Sequence, residues 1–303
     1  MKSKFFPFLL ALGIAGSLVL GFSSCGDDDD DLPPIDGYNN SNEVAATNLL
    51  AHWGFEGDGK ETKSGTAPSK TVNGTFVTGA KGKGVKFDAG FFDYPRIPAL
   101  EITTGSITLS AWAKISNTKE TPTGGSTISP IFSIAGGPNA NIGNLALFGN
   151  THGLTSSDSI QVKAEFHFDK GDGTEFGGDA INMTKKEPWM DDTHTVDPNK
   201  IGGKWAHIVY VYDGSTANNR IYVNGVKISN SAWESRNGGN PLNMKFFTPT
   251  RPIVGATQSV ANGTNAEPWN AALKGEVDEI RVYNKPLTVA EIGALYKLEK
   301  AGR

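Results

Sequence analysis

The sequence predicts an all-β protein made of antiparallel strands. The stretch Trp205–Ile228 contains two runs rich in Val, Ile and Tyr, and a polar bridge at Gly214–Asn219 separates them. Such β-branched and aromatic runs are typical of strands. The 37 Gly and 16 Pro among 303 residues suit many strands that are joined by tight turns. A helical pattern stands out near the C-terminus alone, so we expect a sheet domain with one short helix.

The second run contains a hairpin turn at Asn224-Gly225. A type I′ turn requires positive φ at both central residues, and Asn and Gly adopt it most readily. A two-residue loop there places Val223 opposite Val226 on the apolar face. It also places Tyr222 opposite Lys227 on the mixed face, because successive side chains in a strand alternate between faces.

Other apolar or alternating runs predict the remaining strands, and the polar stretch Gly171–Lys200 is expected to be an inserted loop. Thr288 and Glu291 form a capping box for a helix over Leu287–Leu298. The further predicted strands are Leu49–Gly59, Val85–Phe87, Ser106–Ile115, Ile131–Ile134, Leu145–Phe148, Ile160–Phe168, Pro252–Thr257 and Ala271–Asn284.

The N-terminus has the pattern of a bacterial lipoprotein signal. Lys2 and Lys4 precede the apolar run Phe5–Phe22, and Ser-Ser then leads to Cys25, the sole cysteine of the chain. This pattern predicts a signal peptide over residues 1–24 and a lipid anchor on Cys25, through which the protein would bind the membrane. A membrane-spanning anchor is the alternative, since the run approaches the length that such a helix needs.

An acidic segment follows the predicted lipidation site. Five consecutive aspartates, Asp27–Asp31, cannot pack together and favour an extended, solvated chain. We therefore predict a tether over residues 25–47 and one folded domain over 48–303. The run is similar to acidic export signals of surface lipoproteins, which predicts an outer-membrane lipoprotein exposed on the cell surface; a plain soluble spacer is the alternative.

Charge and motif content exclude several functions. The formal net charge of −4 and the absence of a basic stripe argue against nucleic-acid binding. The five histidines lack the spacing of a metal site, and no nucleotide-binding or serine-hydrolase motif is present.

Several motifs together resemble one known family. They include WGFEGDG near the start, KGKGVKFD, TLSAWAKI, WAHIVYVYDG, RIYVNG and the ending GEVDEIRVYNKPLTVAEIGALY. The chain resembles the LamG-like, concanavalin A-like lectin/glucanase superfamily from about Leu49 to Tyr296. This resemblance implies an antiparallel two-sheet jelly-roll sandwich. It does not settle the chemistry, because the superfamily includes carbohydrate-binding modules, adhesive modules and enzymes.

The last predicted strand offers two kinds of site under this resemblance. Its carboxylates resemble the catalytic strand of retaining glucanases, but Ile280 and Arg281 occupy the positions where a second catalytic Glu is expected. Relatives also use an Asp of the last strand in a structural calcium site. The resemblance therefore implies calcium held by Asp278, with Glu56 and Asp88 as partner ligands.

Tryptophans in polar loops are the candidate ligand contacts. Trp53, Trp112 and Trp205 fall on strands and are expected to pack. Trp189, Trp233 and Trp269 fall in loops, where a large ring either anchors the loop or serves as a sugar platform. Asp191 and Arg236 lie near two of these rings in sequence and would bind hydroxyl groups.

The sequence thus predicts non-catalytic carbohydrate binding by a surface-anchored lipoprotein, with an oligosaccharide or polysaccharide as its partner. Two alternatives remain open. A glycoside hydrolase or lyase would need paired carboxylates in a groove. An adhesive protein-binding module would instead show a broad, flat apolar patch.

Overall fold

A continuous antiparallel ladder of thirteen strands connects the residues that this computed structural model describes, which are 32–103, 105–118, 126–151 and 158–303. In that part of the chain, no helix has the length and apolar character needed to cross a membrane. Cys25 and Asp27–Asp31 lie outside the described residues, so the lipid anchor and the acidic tether stay predictions.

The bounds of the elements are as follows. The strands are β1 (Leu49–Trp53), β2 (Lys70–Thr78), β3 (Lys83–Asp93), β4 (Ile107–Ile115), β5 (Ser129–Ala135), β6 (Leu145–Gly149), β7 (Val162–Asp169), β8 (Glu175–Ile181), β9 (Ala206–Asp213), β10 (Asn218–Val223), β11 (Val226–Lys227), β12 (Arg251–Val254) and β13 (Leu273–Tyr283). The helices are α1 (Gln258–Asn262) and α2 (Val289–Lys300).

The ladder curls at β3 and gives the predicted jelly-roll sandwich. The front half follows the order β12-β5-β6-β7-β8, and the back half contains β11-β10-β9-β4-β13 with β1 beside β13. Rings from the two halves meet in the core: Phe166 of β7 contacts Tyr212 of β9 at 5.5 Å between centroids. Trp53 of β1 likewise contacts Phe132 of β5 at 5.2 Å. All four side chains are fully buried.

The hairpin and the capped helix confirm the short-range predictions. Asn224 and Gly225 have φ of 52° and 80°, and Val223 pairs with Val226. Val226 is nevertheless 62% exposed, because β11 is a short edge strand beyond the sandwich core. The Thr288 hydroxyl accepts the Glu291 N–H, and the Glu291 carboxylate accepts the Thr288 N–H, which completes the capping box.

Two strands were not predicted. β2 lies in a stretch rich in Thr and Gly, and β8 lies inside the expected loop Gly171–Lys200. Both have few large apolar side chains, since each is hydrogen-bonded to one neighbouring strand, β3 and β7 respectively. The prediction of one structureless loop over 171–200 was therefore wrong.

The N-terminal segment 33–48, which the sequence places mostly in the tether, packs on the domain. Arg303 donates to the carbonyls of Asn39 and Pro33, and Lys297 of α2 pairs with Asp36 at 2.7 Å. The folded unit accordingly begins at Pro33 and not at residue 48. Polar side chains carry these contacts, which explains why hydropathy did not reveal them.

A layer of buried charged side chains lies between the back half of the sheet and α2. Arg281 of β13 is fully buried, and its Nε donates to Glu299 of α2 at 2.7 Å. Its Nη2 donates to Glu279 at 2.6 Å and to the Ser41 hydroxyl at 3.1 Å, while Nη1 donates to the Asn42 amide oxygen. One guanidinium thus links β13, α2 and the N-terminal segment.

Candidate functional site

Two of the loop tryptophans form a stacked pair. The rings of Trp189 and Trp233 lie 5.9 Å apart between centroids and are inclined by only 20°. The His194 ring contacts both edge-on, at 5.1 and 5.4 Å. Trp189 is 58% exposed, so the pair presents aromatic surface to solvent.

Asn230 holds this aromatic pair against the sheet edge. It is buried, and its N–H donates to the carbonyl of Ile181 at the end of β8. Its amide oxygen accepts the Thr195 N–H, and its amide nitrogen contacts His194 Nδ1 at 2.9 Å. These bonds join the loops that carry Trp189 and Trp233, so the platform has a fixed backbone support.

A cavity of about 370 Å³ opens beside Trp233. Arg236 donates through Nη2 to the Asp179 carboxylate at 2.8 Å and to its carbonyl. Lys163 also bonds Asp179, at 3.1 Å. An aromatic ring, two cations and a carboxylate therefore meet in one concave space; the full lining is Thr151, Lys163, Asp179, Ile181, Trp233 and Arg236.

A row of polar side chains continues from this cavity along the outer face of β7. Lys163, Glu165 and His167 alternate with buried residues, as the alternating exposure of the strand shows. Glu165 lies opposite Asp179 of β8, and both carboxylates bond Lys163 Nζ, at 2.8 and 3.1 Å. Neither Lys163 nor Glu165 was predicted as a site residue, although the alternation of polar and apolar residues in VKAEFHFD indicates that both lie on one exposed face.

His167 is held between two carboxylates. Its Nε2 contacts Glu165 at 3.1 Å and its Nδ1 contacts Glu175 at 2.9 Å. Burial alone would lower the pKa of His167, but the hydrogen bonds to both glutamates outweigh it and raise that pKa above 6.5. The protonated ring is therefore favoured in the folded protein.

This arrangement predicts a pH-dependent contribution to stability. A histidine whose pKa rises on folding stabilises the fold fully below its unfolded pKa and loses that effect as pH rises through its folded pKa. We expect the stability advantage of wild type over His167→Gln to decline above about pH 6.5. Urea unfolding of both proteins between about pH 5.5 and 8.5 measures it. An advantage that is constant or grows with pH would contradict the prediction.

The remaining predicted ligand contacts do not join this cavity. Trp269 is 37% exposed on the loop between α1 and β13, and its indole N–H donates to Glu267. Within the described residues it makes no ring contact with the stacked pair. Asp191 lies beside His194, but its carboxylate already accepts the N–H and hydroxyl of Thr193.

The three predicted calcium ligands are only partly brought together. Asp278 accepts the backbone N–H of Lys81 and Glu56 accepts that of Lys83, so the two carboxylates flank one turn. The turn approaches them closely: a methyl group at Gly79 would collide with Asp278, and one at Gly82 with Glu56. Asp88 instead pairs with Lys274, four positions along β13 from Asp278. The described residues contain no group of three or more His, Cys, Asp or Glu suited to a metal.

Asp278 nevertheless fits a cation. Its carboxylate is buried, and burial raises the pKa of Asp278 to about 8. The nearby Lys81 ammonium bonds Glu279 at 3.5 Å and not Asp278. A hard dication would supply the missing positive charge there, so Asp278 and Glu56 are retained as candidate ligands and Asp88 is not.

A serine, a histidine and a glutamate also meet beneath α2, but not as a catalytic triad. Ser110 Oγ lies 2.7 Å from His207 Nε2, and Glu299 approaches that same nitrogen at 3.7 Å. A triad needs the acid on the other nitrogen, where it orients the ring. All three side chains are buried, and burial lowers the pKa of His207 to about 3. This cluster is part of the packing under α2.

A sequence model described as the concanavalin A-like lectin/glucanases superfamily matches residues 88–293, which is more than half of the chain. The chain belongs to this superfamily. No curated protein shows significant sequence similarity to it. The superfamily fold accounts for the curled antiparallel sheet, while the aromatic pair lies in loops outside its strands.

Two toxin binding domains of known structure share this fold. The binding domain of Paraclostridial Mosquitocidal Protein 1 is 14% identical with a TM-score of 0.54, over 82% of this chain and 52% of that chain. The binding domain of botulinum neurotoxin serotype G is 11% identical with a TM-score of 0.52, over 83% and 51%. Domain 4 of a GH43 extracellular arabinanase from Geobacillus stearothermophilus, in complex with arabinotriose, is 16% identical with a TM-score of 0.49, over 82% and 98%. The chain spans about half the length of the two toxin domains, and at such identities the likeness concerns the fold alone.

Proposed function

We propose that this protein binds an oligosaccharide without cleaving it, at the cavity beside the Trp189–Trp233 pair. The observation that carries the proposal is the stacked pair itself, which is solvent-exposed and adjoins Arg236, Asp179 and Lys163. Tryptophan rings cover the apolar face of a pyranose, and the paired charged groups around them bind its hydroxyl groups. Glycan-array screening followed by isothermal titration tests it; no glycan bound by the folded protein would refute it.

Non-catalytic binding is supported by the lowered pKa of Glu165 in the groove. Glu165 and Asp179 share Lys163, so their bonded oxygens lie at most about 6 Å apart, an upper limit that allows the spacing of a retaining glycosidase. A general acid must also hold a proton at neutral pH. Burial would raise the pKa of Glu165, but bonds to His167 and Lys163 lower it overall. Release of reducing ends from a bound glycan would reverse this assignment.

We also propose calcium at Asp278 and Glu56, where the ion would fix the turn 79–83 against β13. Added Ca²⁺ is expected to raise the Tm of wild type, and a chelator to reverse the rise, because a ligand that binds only the folded state stabilises it. Asp278→Asn should abolish the calcium response measured against its own metal-free Tm. That metal-free Tm should itself fall, because the amide nitrogen replaces an oxygen that accepts the N–H of Lys81 or Glu279.

Asp88→Asn is the matched control for this prediction. It removes a carboxylate from the strand next to β13, but at a position remote from Asp278. Its calcium response should equal that of wild type. A response that survives in Asp278→Asn, or disappears in Asp88→Asn, would contradict the assignment.

The predicted localisation completes the proposal. A lipid on Cys25 and the acidic tether Asp27–Asp31 would place the domain on the outer surface of the outer membrane. Metabolic labelling with a fatty acid, compared between wild type and Cys25→Ser, tests the anchor. Protease accessibility on intact cells tests surface exposure, and a protected domain would exclude it.

A further inference from the structure

A second cavity, of about 380 Å³, lies between α2 and Trp112 of β4, in the back half of the sheet. Five segments converge on it: the turn at Gly79–Ala80, Trp112 of β4, Trp205 before β9, the hairpin turn at Asn224, and α2 with Tyr296 and Lys300. We call it the helix–hairpin cavity. It shares no lining residue with the cavity beside Trp233.

Aromatic rings form the apolar part of the helix–hairpin cavity. Trp112 lies at its base, 4% exposed, and stacks on Tyr296 at 5.8 Å with an inclination of 26°. Trp205 and Tyr296 are half-buried, so both present ring surface to the cavity. The expectation that Trp205 packs in the core was wrong; it precedes β9 and lies at the rim.

The polar groups of this cavity are mostly donors. The indole N–H of Trp205 and the amide nitrogen of Asn224 bond no other described residue, while the Asn224 oxygen accepts the His207 N–H. Lys300 adds a positive charge; its Nζ lies 3.1 Å from the Tyr296 hydroxyl and 5.3 Å from that ring's centroid.

No acidic side chain is among the described residues that line the cavity. Two carboxylates lie in the packing below, and both are fully buried. Glu299 is bonded by Arg281 and Trp112, and Asp278, opposite Trp112 on β13, accepts the N–H groups of Lys81 and Glu279. Donors and a cation without a counter-charge favour an anionic group, and charge-assisted hydrogen bonds to a carboxylate are the stronger kind. The rings favour a flat, partly apolar body.

We propose that the helix–hairpin cavity is a second ligand site, which binds a carboxylate-bearing sugar residue of the hexuronate class. The sugar ring packs on Trp205 and Tyr296, and its carboxylate accepts from Lys300, Asn224 and the Trp205 indole. This site does not rest on the function proposed for the Trp233 cavity, where each cation already has a carboxylate partner.

Glucuronic acid, glucose and acetate, titrated into the full folded domain and followed by NMR, test the proposal. Glucuronic acid should bind at least about tenfold more tightly than glucose, which lacks the carboxylate, or acetate, which lacks the ring. Equal binding of acetate would reduce the cavity to a simple anion site and overturn the proposal, as would the absence of glucuronic acid binding.

Variants locate the binding. Lys300→Gln and Trp205→Phe should each lower the affinity for glucuronic acid. The loss should be about tenfold in Lys300→Gln, which removes the positive charge. Lys297→Gln, on the same helix but paired with Asp36, and Trp233→Ala, in the other cavity, should leave it unchanged. Weakening by either control, or full affinity in both Lys300→Gln and Trp205→Phe, would refute this location. Unfolding curves confirm that each variant is folded.

Discussion

Trp233→Ala is expected to lower the affinity for the bound glycan about 30-fold or more, because central aromatic anchors of an interface contribute at least about 2 kcal/mol. The ring stacks on Trp189, contacts His194 and lines the cavity with Arg236. Its removal takes away the platform and also the support of the exposed Trp189 ring. Isothermal titration of wild type and variant with the best array glycan measures the loss.

Two further variants separate stacking from loop collapse. Trp233→Phe keeps an aromatic face and should recover part of the affinity, which a purely structural role of the indole would not predict. Trp269→Ala removes another loop tryptophan, 37% exposed, that lies apart from the stacked pair, so it should bind as wild type does. Equal losses in Trp269→Ala and Trp233→Ala would contradict the location of the site.

The features that the sequence predicts well depend on neighbours along the chain. The type I′ turn at Asn224-Gly225 and the capping box of Thr288 and Glu291 are decided within a few residues. The platform is different, because Trp189 and Trp233 come from separate loops that Asn230 joins. The polar composition of the loops predicts Trp189 and Trp233 as candidate ligand contacts. Only the packing of the loops shows that these two rings stack and that Trp269 lies apart from them.

The polar residues of the site depend on strand register in the same way. Lys163 meets Asp179 because β7 pairs with β8 so that Glu165 is opposite Asp179. β8 was not predicted, since its sequence EFGGDAI has little apolar alternation. Without that strand, nothing in the sequence places Asp179 beside Arg236. Because β8 was not predicted, two of the six residues that line the cavity, Asp179 and Ile181, could not be placed there from the sequence.

Arg281→Met is expected to lower the free energy of unfolding by about 3–5 kcal/mol, the usual cost of removing one partner from a buried ion pair. The variant leaves Glu299 and Glu279 buried without their guanidinium partner. It also frees Ser41 and Asn42, so the N-terminal segment should become sensitive to protease before the rest of the domain. Urea unfolding and limited proteolysis measure the two effects.

Arg96→Met is the matched control, because Arg96 also makes a two-bond contact with a glutamate, Glu101, but its side chain is 56% exposed. Water solvates the two charges of an exposed ion pair almost as well as they stabilise each other. The free energy of unfolding should therefore fall much less in Arg96→Met than in Arg281→Met. Similar decreases in the free energy of unfolding of the two variants would mean that the buried charged layer stabilises the fold no more than an exposed ion pair does. A large loss in Arg281→Met alone would instead show that this one side chain, which bonds two acids on separate elements, holds both α2 and the segment 33–48 on the back half of the sheet.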